Sequence, residues 1–367
     1  MNKMRILHVV ATLGYGGVAQ MLWRYYLAID RRQVQFDFVS HGPRESFHSE
    51  IEEMGGRVFY LGTAGQMGLR RYVQALRGLI RDGGPYAAVH AHTNYQAGIV
   101  SLAGWLERVP LRICHIRGVY VDDRNQRRLP IYRWLIYRTC NVRLACSQQA
   151  GRAYYGHRSF QVIRNAVNLE AFERKGTDVP MVRQQLGVQD YAMILGHVGR
   201  FSIEKNHVFL LDVLQELRAG GVDACLVLVG DGPLQGKIAS DAEVLGLQAH
   251  VRFTGVRQDI PDLLRAFNVL LLPSFSEGMP NVVLESQSAG TPALVSDTIT
   301  PEVDVGLGLV SYASITSVSS WVNRLLAMQQ ILRPSPGQIR SAIRHAGFDL
   351  ASSVKTLVNV YDRTALC

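Results

Sequence analysis

Apolar residues arrive along this chain in short dense runs, separated by longer stretches in which they recur every three or four positions. The runs RILHVV (5–10), FDFVS (36–40), RVFYL (57–61), AAVHAH (87–92), LRICHI (111–116), VRLAC (142–146) and FQVIR (160–164) read as buried strands. A second series follows: AMILGHVG (192–199), ACLVLVG (224–230), VRFTG (251–255), VLLLPS (269–274) and PALVS (292–296). Between them lie amphipathic stretches such as VAQMLWRYYLAI (18–29) and LRRYVQALRGLIR (69–81). Alternation of this kind predicts an α/β protein with parallel sheets covered by helices. The two series predict two Rossmann-like doubly wound domains, 1–172 and 181–347, with the polar segment ERKGTDVP (173–180) as linker. The tail after Pro336 is helical, and its last stretch (348–361) has no strand to follow. In open α/β sheets ligands bind beyond the carboxyl ends of the strands, so two such domains facing each other would place a cleft there.

Composition narrows the class. A chain of 367 residues exceeds one comfortable core, and 47% hydrophobic with 19% charged residues is globular. The net charge of +9 favours anionic partners: a phosphorylated ligand, an acidic membrane surface or nucleic acid. The cysteines (Cys114, Cys140, Cys146, Cys225 and Cys367) are odd in number and form no C-x-x-C pair, which points to a reduced compartment. The N-terminus lacks the apolar core and cleavage site of a signal peptide, and no uncharged apolar run reaches the ~20 residues of a membrane span. The expected location is the cytoplasm.

The candidate chemistry lies at strand ends. GRFSIEKNH (199–207) follows a strand and precedes a helix, so Arg200 and Lys205 project where backbone N–H groups and the helix dipole favour an anion. Arginine offers a planar fork for phosphate oxygens and lysine a movable point charge. As a plain alternative, this is a solvated basic loop with Glu204 as its partner. In SEGMPNVVLESQSAGTP (276–292), Glu277 sits at a strand end before a Gly-Met-Pro turn, Pro280 suits the first helical position, and Glu285 lies inside the helix. Two acceptor carboxylates suit ligand hydroxyls; either one alone also suits a solvated helix start.

Three further stretches bear on function. ATLGYGGVAQ (11–20) formally satisfies G-x-G-x-x-A at Gly14, Gly16 and Ala19, which keeps an NAD(P)-dependent oxidoreductase as an alternative. The acid expected for the ribose would be Asp37, but it falls within its strand, whose end is Ser40-His41. A plainer use of Gly16 and Gly17 is close approach to a diphosphate. His90 and His92 share a strand face and His115 ends another strand, yet no spacing announces a metal site. Hydrogen bonding to a polar ligand suits His92 and His115, and packing suits His90. The segment 123–138 joins five arginines to Tyr132, Trp134 and Tyr137, which suits an anionic membrane surface or a helix packing its aromatic side on the core. No zinc-finger, RNP or KH pattern supports nucleic acid as partner.

Taken in order, G-x-G-G near the start, GRFSIEKN, VGDGPL (229–234), FTGVRQDIPDLL (253–264) and the E-x7-E of SEGMPNVVLE resemble the family 4 retaining glycosyltransferases of GT-B fold. MRILHVV, VIRNAVNLEAF and ESQSAGTPALVSDTITPEVD (285–304) are similar to the branch acting in exopolysaccharide and capsule synthesis. The resemblance implies that Arg200 and Lys205 hold the donor diphosphate, Glu285 the nucleotide ribose and Glu277 the hydroxyls of the transferred sugar. It implies that the backbone of Met279, Pro280, Asn281 and Val282 lines the phosphates and sugar, and that Val256 and Arg257 face the base. Gly16 and Gly17 would approach the diphosphate from the N-terminal domain, His115 would contact the donor sugar, and the tail helix (348–367) would cross back onto that domain. Ile-Arg-Gly follows His115 where relatives often carry another His or Asn, which leaves Arg117 without a carried-over role. The implied activity is retaining transfer of a hexose from a UDP-sugar to a glycan acceptor, with a lipid-linked intermediate as the expected form. No D-x-D occurs, so no metal and no cofactor is expected. Peripheral contact with the inner face of the plasma membrane through 123–138 stays open, as does a non-catalytic polyanion-binding role resting on the charge alone.

Overall fold

The computed structural model describes residues 3–14, 16–44, 47–119, 123–173 and 178–362, apart from the side chains of 123–126. The chain divides into two compact units, Met1–Ala166 with Leu350–Cys367, and Val167–Asp349. The expected linker 173–180 thus lies inside the second unit, and its residues 174–177 are outside the described part.

The first unit is built on seven parallel strands: β1 (Met4–Val10), β2 (Val34–Ser40), β3 (Val58–Tyr60), β4 (Ala88–Ala91), β5 (Leu111–Ile116), β6 (Val142–Ala145) and β7 (Gln161–Val162). Their order is β3-β2-β1-β4-β5-β6-β7. Every residue of β2 and β4 is buried, as a strand covered by helices on both faces requires. Its core joins Tyr25 and Tyr26 of the first helix to Phe36 and Phe38. The last helix, Leu350–Tyr361, returns to this core with Val354, Leu357, Val360 and Tyr361.

The second unit carries β8 (Met193–Val198), β9 (Ala224–Val229), β10 (Val251–Gly255), β11 (Val269–Leu272), β12 (Ala293–Ser296) and β13 (Val310–Ala313), in the order β10-β9-β8-β11-β12-β13. All six are parallel. Trp321, fully buried, meets Phe209 edge-on at 5.3 Å and donates its indole N–H to the Ser314 carbonyl at 3.1 Å. The sequence did not announce β13. It is an edge strand with only one fully buried residue, so it lacks the dense apolar run of its neighbours.

Candidate functional site

In the second unit the chain runs from β8 outward through β9 and β10, then returns to place β11 on the other side of β8. The loops leaving β8 and β11 therefore diverge at the carboxyl edge of the sheet, at its topological switch point, where a crevice opens in folds of this kind. The first loop, Gly199 to Asn206, leads into the helix His207–Ala219. Buried Phe201 anchors it, and the Gly199 and Phe201 amides donate to the Val229 and Asp231 carbonyls, both at 2.9 Å. The glycines of VGDGPL permit this clamp. Gly230 and Gly232 have φ of +137° and +156°, and a Cβ on them would lie 2.1 Å from the Gly199 oxygen and 2.6 Å from the Phe201 oxygen.

The second loop meets the first. The Phe275 amide donates to the Glu204 carbonyl at 2.9 Å. The Glu277 carboxylate accepts hydrogen bonds from the Lys205 ammonium and, at 2.9 Å, from the Ser274 hydroxyl. Ser274 is held in turn by the Thr298 hydroxyl, which donates to its carbonyl at 3.1 Å. Lys205 and Glu277 keep 20% and 18% of their side-chain surface exposed, so the pair is sheltered yet reachable. Arg200 is exposed and makes no side-chain hydrogen bond or ion pair among the described residues, although its charge helps to keep Glu204 ionised. Pro280 caps the helix Asn281–Ser288 from one position earlier than expected. Met279, Pro280, Val282 and Glu285 are buried around its first turns, and Asn281 is half-buried. At the end of β10, Val256 is exposed, whereas the Arg257 guanidinium is engaged by Asp259 through bonds of 2.8 and 2.6 Å.

Beneath the first loop lie two histidines that sequence reasoning did not single out. The His207 ring stacks on Phe201 at 4.3 Å and faces His197 at 4.6 Å. Burial, with Lys205 nearby, pushes the His207 pKa down to about 4. Burial and then His207 hold His197 well below the ordinary value. Both are neutral at pH 7, so the positive charge of the loop belongs to Arg200 and Lys205. Their only sequence signal was position: one lies next to the end of a strand and the other starts the following helix.

In the first unit, Gly16 caps the helix Gly17–Ala28, and both glycines are exposed. Gly16 has φ of −72° and only open space where a Cβ would stand, its nearest neighbour being Thr12 Oγ1 at 4.0 Å. Neither backbone nor packing demands glycine there. The dinucleotide reading of this loop finds no support. Asp37 lies in mid-strand, fully buried, accepting from Arg5 (3.0 and 2.6 Å), from Arg57 (3.0 and 2.6 Å) and from the Tyr86 hydroxyl (2.9 Å). It is committed to the core and unavailable to a ribose.

His115 lies in a fully buried stack with His8, His90 and His92. β1, β4 and β5 are neighbours, with His8 directly opposite His90. The His90 and His115 rings are parallel within 6°, joined from Nε2 to Nδ1 at 3.1 Å, and His90 Nδ1 bonds the Tyr361 hydroxyl at 2.9 Å. His8 Nδ1 and His92 Nε2 are 3.0 Å apart. Arg117 settles part of the proton arrangement. Its Nε–H donates to His92 Nδ1 at 3.3 Å, so neutral His92 carries its proton on Nε2 and donates it to His8. His8, His90 and His92 present nitrogens within 4.8 Å of one another, a spacing open to a metal ion. A divalent ion there would have to break these hydrogen bonds and stand beside a guanidinium, so the donor set fits one poorly.

Burial, reinforced by Arg117, pushes His8 down to about 3 and holds His90, His92 and His115 well below 6.5. A histidine with a depressed folded pKa binds fewer protons folded than unfolded in this window, so its contribution is complete above the unfolded pKa and is lost as pH falls. Unfolding free energy is expected to drop between pH 6.5 and 5 by up to about 1.4 kcal/mol per pH unit for each such histidine. Urea titrations across that range test this; a flat profile would contradict the neutral stack.

The helix Asp123–Thr139 splits its aromatic residues. Tyr132 packs on Tyr95 at 5.3 Å, and the Tyr137 hydroxyl donates to the Tyr155 carbonyl at 2.8 Å. Ile131 and Trp134 point outward, 66% and 58% exposed, along a face that also carries exposed Arg127, Arg128 and Arg138. Among the described residues no helix is long and apolar enough to cross a membrane.

Known proteins share this architecture. Residues 15–171 match the model of Glycosyltransferase Family 4 and residues 192–327 that of Glycosyl transferases group 1. EpsF of Bacillus subtilis, named as a glycosyltransferase, is 35% identical over 98% of this chain and 97% of its own length. The chain belongs to glycosyltransferase family 4. An Escherichia coli UDP-Gal:α-D-GlcNAc-diphosphoundecaprenol α-1,3-galactosyltransferase is 25% identical over 75% of each chain. Crystal structures of HepE from Anabaena, one holding UDP and glucose, superpose with a TM-score of 0.78 at 21% identity over 98% of this chain and 99% of that one. The fold of this family 4 enzyme is GT-B, with a seven-stranded and a six-stranded Rossmann-like sheet. The oxidoreductase alternative finds no support among these relatives.

Proposed function

We propose that this glycosyltransferase moves a hexose from a UDP-sugar to a glycan acceptor carried on a lipid, with retention of configuration and without a metal ion. The observation that carries the proposal is the junction of the two loops at the switch point: an exposed guanidinium at Arg200 on the same loop as a Lys205 ammonium oriented by Glu277. Breaking a sugar–phosphate bond leaves a nucleoside diphosphate of growing negative charge. Fixed cations aimed at that charge act mainly in the transition state, the role a metal plays elsewhere. Glu277, held by Lys205 and Ser274, remains an acceptor for sugar hydroxyls. Glu285 is assigned to the ribose, the Met279–Val282 backbone to the phosphates, Val256 to the base, and Gly16 with Gly17 to the diphosphate. His115 is assigned to the donor sugar through Nε2, the ring nitrogen that the stack leaves without a hydrogen-bond partner.

With Glu285 assigned to the nucleoside, Glu277 is the single carboxylate this reading gives to the transferred sugar, one short of the pair that the double-displacement chemistry of glycosidases requires. Attack on the face from which the diphosphate leaves, with that phosphate taking the acceptor's proton, accounts for retention. UDP and a lipid-linked acceptor are supported by HepE and by the Escherichia coli relative named for undecaprenol-linked substrate. The outward Ile131 and Trp134, flanked by arginines, supply a face suited to an anionic membrane surface.

A thermal-shift screen across nucleotide sugars tests the donor. A UDP-sugar at a hundred times its dissociation constant should add about 2.7 kcal/mol of apparent stability. Stabilisation by NAD and by no nucleotide sugar would contradict the proposal. Transfer activity is expected to survive EDTA; loss with EDTA and recovery with Mg²⁺ would show that Arg200 and Lys205 do not replace a metal.

A further inference from the structure

Arg117 stands just beyond β5, two residues after His115 and therefore on the same face of the extended chain. Three bonds fix its place: Nε to His92 Nδ1 at 3.3 Å, Nη1 to Asn165 Oδ1 at 3.1 Å, and its amide to Asn94 Oδ1 at 2.9 Å. All are to neutral groups. Among the described residues no carboxylate pairs with this guanidinium, whose Nη2 has no partner, and the residue is only half-buried. Elsewhere in the same unit Arg5 and Arg57 are neutralised by Asp37 and Arg77 by Glu107, while Arg112 and Arg133 are held by backbone carbonyls; among the described residues the Arg117 guanidinium meets neither a carboxylate nor a backbone carbonyl. A sheltered cation without a counter-ion is costly unless an anion completes it. The four neutral histidines below offer none.

We propose that Arg117 binds a phosphoryl group of a substrate, as the anion site of the N-terminal unit. The proposal rests on the glycosyl-transfer reading, in which both substrates of this enzyme carry phosphoryl groups, the donor in its diphosphate and the acceptor in its lipid linkage. The planar fork, held at Nε and Nη1, leaves the Nη2 edge to meet phosphate oxygens.

The binding test uses inorganic pyrophosphate as probe on the full chain at constant ionic strength. With the other site disabled by Arg200→Ala and Lys205→Ala, pyrophosphate should still raise the melting temperature, by about 3 °C near saturation. Adding Arg117→Gln should abolish that rise. Arg117→Lys in the otherwise unaltered chain keeps the charge, guards against a folding artefact, and should retain pyrophosphate stabilisation. No rise in the double variant, or a rise that survives Arg117→Gln, would overturn the proposal. Kinetics then distinguish the sources. Arg117→Gln should raise KM tenfold or more for the nucleotide sugar if the donor diphosphate is bound, or for the acceptor if its phosphate is bound. Arg117→Gln with kcat and both KM values unchanged would overturn it. If no nucleotide sugar supports transfer yet pyrophosphate binding follows Arg117, the glycosyl-transfer reading fails and the anion site stands.

Discussion

Lys205→Ala should lower kcat/KM by a factor of 10² to 10³ while the protein stays folded. The magnitude follows from what one preorganised donor contributes to a developing oxyanion, about 3–4 kcal/mol. Lys205 is such a donor: its ammonium ends at the switch point between β8 and β11, oriented by Glu277. The cost to stability is far smaller. Both members of the pair keep close to a fifth of their side-chain surface exposed, and Ser274 still bonds Glu277 after the lysine is gone. A loss of about 1–2 kcal/mol is expected. Arg200→Ala should behave alike with even less effect on folding, since Arg200 is exposed. Steady-state kinetics beside urea unfolding separate the two effects. Near-normal turnover in either variant would refute the assignment of the cations.

The second large effect is on stability. Asp37→Ala should destabilise the protein by about 3 kcal/mol or more, because it strips the anion from between Arg5 and Arg57. Burial alone would raise the Asp37 pKa, but the hydrogen bonds from Arg5 and Arg57 outweigh it and the carboxyl ends below its ordinary value. A depressed carboxylate contributes stability that is present above the unfolded pKa and lost as pH falls toward the folded one. The variant should therefore lack part of the acid-side decline that the parent shows below about pH 4. UDP binding should be unaffected. A stable Asp37→Ala protein with impaired nucleotide binding would restore the ribose-binding role that the structure denies this residue.

Most strands were legible because interior parallel strands leave little choice of residue. ACLVLV and VLLL are apolar throughout and lie where the runs placed them, whereas the edge strand β13 has no such signature. The loops of the second unit were legible for a different reason. Glu277 and Lys205 are far apart in sequence, but each follows a recognisable strand, and the parallel sheet sets those strands side by side. The histidine stack was not legible. It requires knowing that β4 crosses over to lie between β1 and β5, and that the last helix brings Tyr361 against His90. No local pattern carries strand order. The same blindness hid the roles of Asp37 and Arg257: a lone charge in a sequence does not disclose its partner.

The most direct test is the crystal structure of the full chain with UDP bound. Phosphate oxygens within hydrogen-bonding distance of Arg200 and Lys205, with the ribose at Glu285, are the expected result. UDP seated away from the loops that follow β8 and β11 would contradict it.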